Sequence, residues 1–155
     1  RFDGLVLPAE QAREFHDRII AEVVRMLVAG LIHGDLSEFN VLLDGQGPVI
    51  IDLPQAVNAA ANNSAAMMLV RDVDRMKRFF GRFSPELLET EYGKEMWSRY
   101  ATGTLDADSA LTGVYRPTLD DVNLGELMAI IDAAREEEEE RLARVRALES
   151  GEPDD

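Results

Sequence analysis

Apolar residues recur at three- and four-residue intervals from Ala12 through Phe15, Ile19 and Val23 to Met26 and Leu27. That spacing predicts an amphipathic helix over residues 9–29, with Pro8 suited to its first turn and Gly30 to its stop. The period then changes. "FNVLL" (39–43) and "PVIID" (48–52) read as two short strands, and the turn-forming "DGQG" between them predicts a β-hairpin. A second helix is expected over 64–80, capped by Asn63 or Ser64, with faces set by Met68, Asp72 or Val73, Met76, Phe79 and Phe80. Ser84-Pro85 opens a third helix through Tyr100, offering Leu87, Leu88, Tyr92, Met96 and Trp97 for packing. Residues 102–117 are rich in Gly, Thr and Asp and read as irregular. A last helix is expected from Thr118 or Asp120 to Leu148; its apolar face (Leu124, Leu127, Met128, Ile131) is interrupted by five glutamates at 136–140.

Composition narrows what such a chain can do. The 155 residues suit one domain, and 46% hydrophobic content suits a packed core. The formal net charge of −14 disfavours nucleic acid or an anionic membrane as the main partner. Nine acidic and three basic side chains fall in 136–155, which reads as a solvated helix extension and tail; an arm that docks a basic partner is the sharper alternative. Without cysteine there are no disulfides or thiolate metal sites, and two histidines, His16 and His33, do not make a histidine-rich zinc centre. No stretch reaches the roughly 18 apolar residues of a membrane span, so a cytoplasmic setting is the default expectation. A chain opening on Arg1 is expected to be part of a longer one.

The polar chemistry concentrates in "LIHGDLSEFNVLL", residues 31–43. Asp35 and Asn40 stand five positions apart, and Asp52 follows across the hairpin. Strand pairing can return Asp52 to the loop that carries Asp35 and Asn40. Three oxygen-bearing groups at one mouth suit Mg²⁺, which completes its octahedron with water and phosphate oxygens. Phosphoryl transfer needs such a set: a carboxylate for the attacking hydroxyl, and an amide and a second carboxylate for the metal. Taken singly, Asp35 and Asn40 could cap a turn, Asp52 could end a strand, and His33 could be an ordinary loop histidine.

"HGDLSEFN" followed by "VIIDLPQAV" resembles the catalytic loop and metal-binding segment of RIO-type atypical protein kinases, in the form of their bacterial branch. The likeness continues into "RDVDRMKRFFGRF" and covers residues 5–83. It implies a mostly helical α+β fold, a protein-kinase-like large lobe with a small β-hairpin, over residues 1–135. It implies ATP- and Mg²⁺-dependent phosphorylation of protein Ser or Thr hydroxyls. Position by position, Asp35 matches the catalytic aspartate and His33 a loop-bracing histidine. Asn40 and Asp52 match the metal-holding pair, and Asp72 a buried helix aspartate that accepts hydrogen bonds from the catalytic loop. Ser37 is a family feature placed near phosphate or Asp35. Phe39 is read as core; Glu38, Asp74 and the other charges of that helix are read as solvated.

A kinase site is closed by a small lobe with a Gly-rich loop and a strand lysine. Neither is written here: there is no G-x-G-x-x-G, and Lys77 and Lys94 both fall on expected helices. The chain by itself is therefore expected to be inactive and to bind ATP weakly or not at all. Two rival readings stand beside this one. Aminoglycoside- and choline-kinase-like enzymes share an H-G-D-x-x-x-x-N loop, although Ser37-Glu38 and Leu53-Pro54 fit the RIO pattern better. A non-catalytic scaffold or regulatory module is the other, and ATPase-like turnover is a variant of the kinase reading. Substrate and oligomeric state are open.

Overall fold

The computed structural model describes residues 6–51, 56–60, 64–116 and 122–151, with only the backbone of residues 122–124. It divides into two compact units, residues 1–116 and 117–155. Among the described residues the first unit is mostly helical, with two small antiparallel sheets. Those of the second form helix α4 (Val122–Ser150), which runs through the glutamate run without a break. No described helix is long and apolar enough to cross a membrane.

Helix α1 (Ala9–Val28) buries Ala12, Phe15, His16, Ile19, Ile20, Val23, Val24 and Leu27, the stripe expected from a 3.6-residue period. Pro8 sits one position earlier than expected, outside the helix at its cap. At the other end the chain turns out at Gly30, whose φ of +85° favours a residue without Cβ. The Gly30 amide donates to the Leu27 carbonyl, giving one of the last carbonyls of the helix a partner.

Two residues of strand follow, β1 (Leu31–Ile32), before the loop of interest. A 3₁₀ turn (Glu38–Asn40) then leads into the hairpin of β2 (Val41–Asp44) and β3 (Gly47–Ile50). The hairpin register pairs Val41 with Ile50 and Asp44 with Gly47. The loop is thus only Gly45-Gln46, and the first strand starts two residues later than the sequence pattern suggested. The bend costs Phe39 its expected place in the core: it is 55% exposed, on the 3₁₀ turn rather than on a strand face. Strand β4 (Val57–Asn58) pairs antiparallel with β1, Ile32 opposite Val57. No short-range pattern announces such a pair, because its two strands lie about 25 residues apart and hold two residues each.

Helix α2 (Ala65–Gly81) follows the expected span, with Ser64 at the cap position but making no side-chain cap bond. Its core face carries Leu69, Val73, Met76, Phe79 and Phe80. The single helix expected over 84–100 is two elements: a 3₁₀ turn at Pro85–Glu89 and α3 (Tyr92–Ala101). Thr90 is extended, and the Glu91 amide leaves the helical ladder to donate to the Gly113 carbonyl at 2.8 Å. Glu95 then holds the returning segment, its carboxylate accepting from the Thr112 and Gly113 amides. Asp74, read as solvated, is buried and pairs with Lys77 at 3.6 Å, while Lys77 also donates to the Thr90 carbonyl.

His16 is a polar group in the middle of this core. Its ring lies 6.1 Å from that of Phe80 and 5.5 Å from that of Tyr92, and Nδ1 meets the Asp17 carboxylate at 3.1 Å. Nε2 is buried without a partner. Burial lowers its pKa, against the opposing pull of Asp17, with Arg13 and Lys77 adding to the lowering. A base whose folded pKa is depressed is neutral in the fold while the unfolded chain already takes a proton near pH 6.5. Stability should hold above about pH 6.5 and fall as the pH drops from there towards the folded value. Denaturant midpoints from pH 7.5 to 5 should show this decline, and a His16→Gln variant should flatten it. An equal decline in the variant would mean that other groups carry it.

Candidate active site

Residues 33–37, after β1, belong to no helix or strand, so something outside the loop must fix its shape. Helix α2 does this with three residues of one turn. Asp72, 1% exposed, accepts from the Gly34 amide at 2.7 Å and from the Leu36 amide at 3.0 Å, one on each carboxylate oxygen. Arg71 donates through Nη2 to the Gly34 carbonyl. Arg75 meets the Asp35 carboxylate, Nη1 to Oδ1, at 3.1 Å. Between these contacts Gly34 takes a φ of +89°, in the region where a Cβ is disfavoured. Leu36 is fully buried and anchors the loop in the hydrophobic core.

Burial pushes the Asp72 carboxyl up from its ordinary range, opposed by the two amide hydrogen bonds and by His33 and Arg71. Two N–H groups on one carboxylate are the compensation that makes a buried acid tolerable.

His33 ties the loop to the hairpin. Nδ1 accepts from the Asp35 amide at 3.2 Å, so the proton sits on Nε2, which donates to the Ile51 carbonyl at 2.8 Å. The tautomer follows from those partners. The Ile51 amide in turn donates to the Asn40 carbonyl at 2.7 Å. Ile51 is the residue before Asp52, which lies outside the described residues.

Ser37 shapes the turn that delivers Asn40. Its Oγ accepts from the Phe39 amide at 3.2 Å and donates to Asn40 Oδ1 at 3.0 Å. An amide oxygen carries two lone pairs, so this bond orients Asn40 and is compatible with a cation on the same atom. Among the described residues no three His, Asp or Glu side chains gather as a metal cluster.

The structure therefore brings together Asp35, His33, Ser37, Asn40 and Asp72 around one loop, with the Asp35 side chain 60% exposed to an incoming group. Arg71 and Arg75 were not singled out in the sequence. Their four-residue spacing places them on one helix edge, but nothing in the spacing says that the edge faces residues 33–36.

Comparison with known proteins gives the same stretch an identity. The RIO domain model matches residues 4–92, more than half of the chain. Over 75 residues, 48% of this chain, it is 44% identical to the RIO-type serine/threonine-protein kinase Rio2 of Methanocaldococcus jannaschii. It is 35% identical to the serine/threonine-protein kinase RIO2 of Caenorhabditis elegans over 96 residues, 61% of this chain. It is 39% identical to the human serine/threonine-protein kinase RIO1 over 79 residues, 50% of this chain. These matches span 27%, 17% and 14% of the respective relatives. The family match covers the segment that builds the loop, the hairpin and its supporting helix, and the chain belongs to the RIO-domain family.

Proposed function

We propose that residues 6–116 are the large lobe of a serine/threonine protein kinase, and that the chain supplies the catalytic loop for Mg²⁺- and ATP-dependent transfer of phosphate to a protein hydroxyl. The observation that supports this most directly is the exposed carboxylate of Asp35 on a loop whose backbone is fixed on both sides, by Asp72 and Arg71 and by His33. Positioning supplies much of the catalysis in phosphoryl transfer, so a rigid loop under a solvent-facing carboxylate is what the chemistry requires.

In this reading Asp35 orients the acceptor hydroxyl and receives its proton as the oxygen attacks. With Arg75 on Oδ1, the second oxygen, Oδ2, is the one that faces the hydroxyl. Asn40 and Asp52 would hold Mg²⁺, which neutralises phosphate charge when bound. Ser37 orients the Asn40 amide, and His33 couples the loop to the strand end that precedes Asp52. ATP phosphates are gripped by a small lobe contributed by another part of the full-length protein, since these 155 residues hold no Gly-rich loop.

Two measurements test the proposal. Full-length protein with radiolabelled ATP should transfer phosphate to protein acceptors, lose that activity with EDTA, and leave aminoglycosides unlabelled; labelling of aminoglycosides alone would move it to the small-molecule phosphotransferases. Calorimetry of the 155-residue chain with Mg-ATP should show no micromolar binding. Micromolar affinity would overturn the assignment of nucleotide grip to a separate lobe.

A further inference from the structure

Helix α2 reads in sequence as a mixed-charge helix, with two aspartates among five basic residues between 71 and 82. The fold removes the negative half. Asp72 is 1% exposed and bound to loop amides, and Asp74 is 9% exposed and paired with Lys77. Lys77 is itself largely buried and committed to Asp74 and Thr90. What remains on the outward side is arginine, half-buried at Arg71, Arg75 and Arg78 and exposed at Arg82. At about 100° per residue, Arg71, Arg75, Arg78 and Arg82 fall within an arc of about 60°, along about 16 Å of helix axis. The edge they form is opposite in sign to a chain of net charge −14.

This edge begins at the candidate catalytic loop, because Arg71 touches Gly34 and Arg75 touches Asp35. Beyond that, Arg82 is exposed, its guanidinium resting 6.0 Å from the Phe79 ring centre and 5.7 Å from that of Phe83. An arginine held on aromatic faces has less freedom to lose when it meets an anion.

We infer that the arginine edge of α2 is a docking track for an acceptor polypeptide carrying Asp and Glu beside its hydroxyl. The inference rests on the reading of Asp35 as the acceptor-facing group. Arg78 and Arg82 lie about 4.5 and 10.5 Å beyond Arg75 along the axis, against about 3.3 Å per residue of extended peptide. Acidic side chains from one to about four residues away from the hydroxyl, on one side of it, match those distances. Guanidinium groups pair with carboxylates in a two-pronged geometry, which makes each contact directional. A nucleic acid would also meet these arginines, but as a long polyphosphate it faces the repulsion of the whole acidic chain. A short acidic peptide is screened from all but the local edge at the physiological Debye length of about 8 Å.

The test uses the 155-residue chain and three fluorescent serine peptides, flanked by glutamate, alanine or lysine, with a single-stranded RNA oligonucleotide beside them. Anisotropy at low and physiological salt should show the glutamate peptide binding at least tenfold more tightly than the alanine one. An R78E/R82E double variant should abolish that preference. If circular dichroism shows the charge-reversed variant misfolded, R78Q/R82Q gives the same readout with a smaller loss. Equal binding of glutamate and alanine peptides, or a preference untouched by either double variant, overturns the inference. So does RNA that binds more tightly than the glutamate peptide and loses affinity in the same variants, which would make the edge a phosphate-backbone site. Catalysis is read separately on the full-length protein. Peptides that dock but receive no phosphate would sink the kinase reading and leave the track, whereas phosphorylation indifferent to flanking charge would sink the track and leave the kinase.

Discussion

An Asp35→Asn variant of the full-length protein should lose phosphoryl transfer by about 10²–10⁴-fold, the usual contribution of a positioned proton acceptor. Asparagine has the same shape, and its amide oxygen can still accept from Arg75, so the loop should keep its geometry. What it lacks is the ability to take the hydroxyl proton. Because Asp35 is largely exposed and its ion pair with Arg75 sits at the surface, the contact is worth at most about 1 kcal/mol of stability. The melting temperature and the ATP affinity should therefore stay close to wild type while kcat collapses. Retention of more than about a third of kcat would remove Asp35 from the chemistry and return the scaffold reading to first place.

The second large effect is on stability. Asp72→Ala leaves the Gly34 and Leu36 amides facing the gap that the carboxylate filled. An orphaned buried donor costs about 1–3 kcal/mol, and a whole domain is stable by only about 5–15 kcal/mol. Part of that loss is offset, because the variant no longer buries an acid whose pKa burial has already pushed up. A fall in melting temperature on the order of 10 °C is expected, at about 2–8 °C per kcal/mol. Asp72→Asn should fall between wild type and alanine, since its NH₂ must face one of the two donors. The same variants should lower kcat more than KM, because the loop that aims Asp35 loosens. Melting within about 2 °C of wild type for the alanine variant would show that water or the backbone satisfies those amides, and would remove Asp72 as the loop's support.

Local rules carried much of the fold. The 3.6-residue stripe from Ala12 to Leu27, stopped by Gly30, specifies α1 because a helix and its terminating turn are decided by neighbours within four residues. The hairpin is legible for the same reason: its strands face each other across two residues. Pro85 announced a helical start but not its early end. The break at Thr90 and Glu91 is set by Gly113, more than twenty residues away. Phe39 looked like a strand residue because the 3₁₀ turn that exposes it is organised by the Ser37 hydroxyl, not by hydrophobic alternation.

The same division runs through the candidate site. The order of His33, Asp35, Ser37, Asn40 and Asp52 stands in the sequence, and so does the chemistry those residues share. Sequence alone therefore determined the family likeness, the loop and the elements on either side of it. The family likeness already implied that Asp72 is buried against the loop; only the tertiary structure decided that the same side of α2 brings Arg71 and Arg75 to it. It also decided that Asp74 turns inward as Asp72 does, leaving an arginine edge that composition had averaged into a net charge of −14. The physical reason is common to these cases. Helical period fixes which residues share a face, but the direction of that face depends on desolvation and on hydrogen bonds between segments about 40 residues apart.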